Sequence, residues 1–143
     1  MATDKVLLVD DEVDFVETLA ERLRARGLEV DVATSGEEAI EKARTKTFEV
    51  VVLDFSMPGM NGIEVLKALR DLNTDVQVML LTGRASIKTA MEAGRLGAID
   101  VLEKPMDIGL LMEKIREARA QFVAARMQRS QEHVEDILRK YGW

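Results

Sequence analysis

Residues 50–62 read Val-Val-Val-Leu-Asp-Phe-Ser-Met-Pro-Gly-Met-Asn-Gly, and the fold is decided here. Four bulky aliphatics in succession, Val50 to Leu53, carry the signature of a strand buried on both faces, as in a parallel sheet. The Pro58-Gly59 and Asn61-Gly62 pairs read as a loop. Asp54 is therefore predicted at the carboxyl end of a central strand, the edge where open α/β sheets bind ligands. Taken alone, such an Asp need only start a turn. The residues that end the other strands decide between the two.

Working outward, strand and helix patterns alternate. Lys5 to Val9 predicts a short aliphatic strand running into Asp10-Asp11-Glu12. Phe15, Leu19 and Leu23 then recur at helical spacing, and Gly27 closes that helix. Leu28 to Thr34 alternates, as expected of a strand near an edge. Ser35 with Glu38 forms a capping-box pattern that opens a helix to about Thr45. After the Asp54 strand, a helix over 62–71 carries Ile63, Leu66 and Leu69. Val76 to Leu81 is the fourth strand and runs into Thr82-Gly83. A helix from Ser86 to Leu96 ends at Gly97, and Ile99 to Leu102 is a short fifth strand before Glu103-Lys104-Pro105. Asp107 caps a long helical stretch. Five such units imply a doubly wound parallel sheet with helices on both faces. Right-handed crossovers put every strand's carboxyl end at one rim.

A chain of 143 residues is long enough for one domain with a real core. Its 20 basic and 26 acidic residues give a net charge of −6. Residues 107–143 hold seven basic and six acidic side chains, +1, which leaves −7 on the body. Direct nucleic-acid binding, which needs clustered Lys and Arg, is not expected. Neither is a membrane partner, since no apolar run reaches spanning length and residues 1–4 lack a signal-peptide pattern. The absence of Cys removes thiolate metal sites and fits a reducing cytoplasm.

At the rim, strand one delivers Asp10 and Asp11, strand three Asp54, strand four Thr82 and strand five Lys104. Each has an ordinary explanation alone: Asp10 and Asp11 as helix-start acids, Thr82 as a strand residue, Lys104 as a surface cation. Together they would require four coincidences at one end of one sheet. Three converging carboxylates repel unless a cation sits among them. Oxygen donors alone suit a hard ion, and Mg²⁺ (or Mn²⁺) fits a few carboxylates plus water and a phosphate. The Thr82 hydroxyl, the Gly83 amide and the Lys104 charge would make an oxyanion cradle beside it.

Val-Leu-Leu-Val-Asp-Asp-Glu (6–12), Leu-Asp-Phe-Ser-Met-Pro-Gly-Met-Asn-Gly (53–62), Leu-Leu-Thr-Gly (80–83) and Gly-Ala-Ile-Asp-Val-Leu-Glu-Lys-Pro (97–105) occur in that order. On these motifs the chain resembles the receiver domains of bacterial two-component response regulators, over roughly residues 4–120. The resemblance implies a flavodoxin-like sheet of order 2-1-3-4-5. It implies that Asp54 is the phosphoacceptor for a sensor histidine kinase or phosphotransfer protein, and that the product controls a downstream protein target. Mg²⁺ would be held by Asp11, Asp54 and the Ser56 carbonyl, with Asp10 acting through water. Thr82 and Lys104 would contact the phosphoryl oxygens, and Ser56 and Arg84 would tune the phosphoryl lifetime. The family's switch aromatic, three residues before the Lys, is replaced here by Val101, which cannot swing as a ring does. Such a protein is a timed switch rather than a turnover enzyme.

The expected division is a receiver domain over 4–122 and a C-terminal helical extension over 123–143. No output segment follows, so a stand-alone module is expected. In the extension Val134, Ile137, Leu138 and Tyr141 form a second apolar stripe after a polar stretch. That stripe either packs back on its own domain or serves as a dimer or partner seam within 107–143. His133, the single His, reads as a solvated helix residue. Two rivals to the switch remain: a phosphate-independent dimerisation module, and an Asp-nucleophile phosphohydrolase. The latter typically carries a general-acid Asp two residues after the nucleophile, where this chain has Ser56.

Overall fold

Aliphatic runs and amphipathic stretches alternate five times along the chain, and the structure, a computed structural model, describes residues 5–55, 62–83 and 87–142. The elements are β1 (Lys5–Val9), α1 (Val13–Ala25), β2 (Glu29–Ala33), α2 (Gly36–Thr45), β3 (Val50–Asp54), α3 (Gly62–Leu72), β4 (Gln77–Thr82), α4 (Ile87–Arg95), β5 (Ala98–Glu103) and α5 (Ile108–Lys140). All strand pairs are parallel, and the order is β2-β1-β3-β4-β5, the doubly wound arrangement expected. The fourth strand begins one residue later than the sequence suggested and includes Thr82.

Local chemistry sets the helix ends. Gly27 closes α1 at φ 96°, a backbone angle that glycine adopts without steric cost. Ser35 Oγ accepts from the Glu38 amide at 3.0 Å, as predicted. The return bond goes one residue further out than a standard capping box: Glu38 Oε1 accepts from the Thr34 amide at 2.7 Å.

The three central strands are buried on both faces because helices cover both sides. Val6, Leu8, Val50, Val52, Met79 and Leu81 pack against α1 and α5. The alternating Leu7, Val9, Val51, Leu53, Val78 and Leu80 pack against α2, α3 and α4. Deleting one such side chain, Leu53 for example, is expected to cost about 2–5 kcal/mol.

One expectation is corrected and one open choice is narrowed. The buried stripe of α1 is Val16, Ala20 and Leu23, so Phe15 lies to one side of it and stays 36% exposed. In addition, α5 is one unbroken run of 33 residues, about 50 Å long at 1.5 Å per residue. Its last buried residue is Phe122, while Met127, Val134, Ile137, Leu138 and Tyr141 are exposed. The second stripe therefore does not pack back on its own sheet. What ties the start of the overhang is Asp75, 4% exposed in the α3–β4 turn, which pairs with Arg126 Nε at 2.7 Å and with Arg129.

Candidate functional site

Alternation along the strands decides which side chains meet. In β1, Val6 and Leu8 face the α1/α5 side, so Asp10 falls on the same side just beyond the strand. In β3, Val50 and Val52 face that side, and Asp54 follows them. In β5 Leu102 does so, and Lys104 follows it. The register brings these positions level, since Val9 pairs with Leu53 and Thr82 with Glu103. Backbone bonds extend the ladder past the strand ends: Asp10 N donates to Ala33 O at 3.1 Å, and Lys104 N donates to Thr82 O at 2.8 Å.

The result is a close cluster. Lys104 Nζ lies 2.8 Å from Asp10 Oδ2, 3.4 Å from Glu12 Oε1 and 3.8 Å from Asp54 Oδ2. Asp10 and Asp54 are buried, as is Thr82, whereas Asp11 is exposed. Asp10 uses both oxygens, because Oδ1 accepts from the Glu12 amide at 2.9 Å. Burial of Lys104 works against its charge. The hydrogen bond and charge of Asp10, followed by the charges of Asp54 and Glu12, outweigh that penalty and hold the ammonium pKa above its ordinary value.

Carboxylate oxygens of Asp10, Asp11 and Asp54 all lie within 4.8 Å of one another. That is an all-oxygen donor set with one acid open to solvent, which fits a small hard dication that keeps part of its water shell. Gly83 is exposed, and a side chain built there would meet nothing within 4 Å, so the backbone beside Thr82 is open to an approaching group. Val101 is half-buried against the α2–α4 side of the sheet. Ser56 and Arg84 lie outside the described residues. His133 is exposed on α5, far along the chain from every rim residue.

Two rim residues escaped the sequence reading. Glu12 approaches Lys104 directly, and the Phe15 ring centroid lies 4.6 Å from Lys104 Nζ. A helical stripe traced from Val16 rather than Phe15 would have left Phe15 without a core role and pointed to it.

The family model for the response regulator receiver domain matches residues 6–116. The transcriptional regulatory protein ZraR of Klebsiella oxytoca is 39% identical over 115 residues, which is 80% of this chain and 26% of that protein. The chain thus spans about a quarter of that relative's length. A CheY-like response regulator receiver domain protein from Methanospirillum hungatei JF-1 superposes with a TM-score of 0.82 at 26% identity, covering 87% of this chain and 99% of that one. A response regulator from Burkholderia pseudomallei, crystallised with a phosphorylated aspartic acid, a calcium ion and citrate, does so with a TM-score of 0.76 at 28% identity, covering 97% and 86%.

Proposed function

The chain belongs to the response regulator receiver domain family, and from that premise we propose that Asp54 accepts a phosphoryl group in a Mg²⁺-dependent reaction. The observation that carries the reading is Lys104 Nζ at 3.8 Å from Asp54 Oδ2, beside two further acids. The phosphorylated aspartic acid of the Burkholderia pseudomallei relative supports it.

In the proposed reaction an Asp54 carboxylate oxygen attacks phosphorus in line, opposite the P–N bond of a phosphohistidine. The P–N electron pair goes to the imidazole nitrogen, and an aspartyl phosphate forms. Lys104 holds positive charge where the equatorial phosphoryl oxygens gather negative charge, in a partly buried site where that charge counts for more than in water. Its 2.8 Å contact is with Asp10, and the longer 3.8 Å separation from Asp54 is an ion-pair distance rather than a hydrogen bond. Asp10 thereby holds Lys104 within reach without tying it to the nucleophile. Thr82, the last residue of the neighbouring strand, and the open backbone at Gly83 receive the phosphoryl oxygens. Bound Mg²⁺ would supply charge neutralisation and a template for the donor phosphate. Asp11, Asp54 and the Ser56 carbonyl would hold it directly, with Asp10, whose oxygens accept from the Glu12 amide and Lys104, acting through water as in the family.

The donor is a sensor histidine kinase or phosphotransfer protein, in the cytoplasm, and the output is control of a downstream protein target. Ser56 and Arg84, two past Asp54 and Thr82, tune the adduct's lifetime. The chain is a switch that catalyses its own phosphorylation and dephosphorylation. With Val101 in place of a swinging aromatic, the signal leaves through the fourth helix and fifth strand. The receiver unit runs over 4–122, with 123–143 as a helical extension. A homodimer through 107–143 is a second reading, favoured by the exposed Val134, Ile137 and Tyr141 beyond Phe122.

The test is incubation with Mg²⁺ and acetyl phosphate or beryllofluoride, comparing wild type with Asp54→Asn. A single labile adduct lost in Asp54→Asn is expected. Multiple turnover of a small phosphoester would instead indicate a hydrolase. No adduct in either protein would indicate a phosphate-independent interaction module.

A further inference from the structure

We infer that Phe15 is a positioning residue for Lys104, its ring face holding the ammonium at the rim where Asp54 is phosphorylated. This rests on Asp54 being the phosphoacceptor.

Core packing does not account for Phe15. The buried stripe of α1 passes through Val16, Ala20 and Leu23, and a large aromatic is left 36% exposed beside a cluster of charges. A ring there presents its electron-rich face to a cation, and the 4.6 Å from centroid to Nζ lies well inside the range of that attraction. Nζ also lies within 4 Å of the acids Asp10, Glu12 and Asp54.

The chemical difference between ring and acid matters. An ammonium has three N–H donors. Asp10 takes one at 2.8 Å, and Glu12, mostly in solvent, takes another weakly at 3.4 Å. A ring face attracts the whole charge without claiming a directed N–H. It therefore fixes where Nζ sits while leaving a donor for an incoming phosphoryl oxygen. A polar side chain in its place would compete for that donor.

A second observation places the same ring against the nucleophile. Phe15 lines a small recess together with Leu8, Leu19, Val52, Asp10 and Asp54. The ring lies beside both carboxylates, which are 3% and 5% exposed, and burial strengthens their attraction for Lys104.

The experiment compares full-length wild type, Phe15→Leu, Phe15→Trp and Asp54→Asn, with acetyl phosphate as donor and Mg²⁺ present. Leu keeps the apolar bulk and removes the ring face; Trp restores a stronger one. Phe15→Leu is expected to lower the phosphorylation rate at saturating donor about two- to five-fold, the factor an exposed cation–π contact carries. The half-saturating donor concentration should stay unchanged, as should the Mg²⁺ concentration at half-maximal thermal shift. Phe15→Trp should restore the rate. The upfield ring-current shift of the Lys104 side-chain protons should be lost in Phe15→Leu and kept in Phe15→Trp. Equal rates in wild type and Phe15→Leu, or loss of rate in both substitutions, overturn the role of Phe15. Absence of an adduct in wild type overturns the phosphoacceptor reading instead, so the two failures are distinct.

Discussion

Asp75 and its two arginines give an asymmetry that can be measured. The Asp75 carboxylate is 4% exposed, while Arg126 and Arg129 are 47% and 56% exposed. In Arg126→Ala/Arg129→Ala the carboxylate stays buried with no cation, and breaking a buried pair in that direction costs about 3–5 kcal/mol. In Asp75→Asn the guanidiniums are left instead, and both already reach solvent. The loss is then of charge-assisted hydrogen bonds, each worth about 1.5–3 kcal/mol net, offset in part because no carboxylate has to be desolvated. A total of about 1–2 kcal/mol is expected for Asp75→Asn, and the triple variant should recover most of what the double arginine variant loses. Urea unfolding followed by circular dichroism at pH 7 reads all four proteins as a cycle. The order of midpoints should be wild type, then Asp75→Asn, then the double arginine variant. An Asp75→Asn loss equal to or greater than that of the double variant would refute the burial reasoning. Strict additivity in the triple variant would show that the three groups do not act as one unit.

Other expectations concern the frame. Lys42 and Lys46 hold the Asp31 carboxyl down to about 2 from 3.8, their hydrogen bonds overcoming the burial that would raise it. A depressed carboxyl contributes stability that is present above the unfolded value and lost as pH falls through the folded one. The stability gap between wild type and Asp31→Asn, about 1 kcal/mol after solvent screening, should therefore be full above pH 3.8 and close toward about 2. Gly97→Ala should cost about 2 kcal/mol in thermal unfolding, because φ is +101° and a Cβ would lie 2.6 Å from Arg70 Nε. Trimming Arg70 to Ala in that background should relieve the steric part and leave the backbone part. Ser35→Ala removes the bond to the Glu38 amide and should cost about 1 kcal/mol in the same assay.

Much of the fold was legible because period and punctuation agree. Val50 to Leu53, followed by Pro-Gly and Asn-Gly turn pairs, carry the signature of a strand covered on both sides, and Gly27 and Gly97 mark the ends of α1 and α4 at positive φ. The rim residues were legible because parallel connections leave the strands' carboxyl ends no other edge. Phe15 was misplaced because Phe15-Leu19-Leu23 and Val16-Ala20-Leu23 both fit a helical period, and bulk favoured the wrong one. The Asp75 anchor was invisible for a different reason. Its arginines lie more than fifty residues away on a helix whose path over the sheet no local pattern specifies. The same helix hid the fate of the second stripe, since an apolar period fits a packed face and an open one equally.

The central claim is that Asp54 carries the phosphoryl group, held beside Lys104 at 3.8 Å. Its most direct test is to incubate the protein with Mg²⁺ and acetyl phosphate, trap the acyl phosphate with borohydride and map the reduced residue by peptide mass spectrometry. Reduction confined to position 54, and absent in Asp54→Asn, is the predicted result. A trapped residue at Asp10 or Asp11, or an adduct that survives Asp54→Asn, would contradict the account.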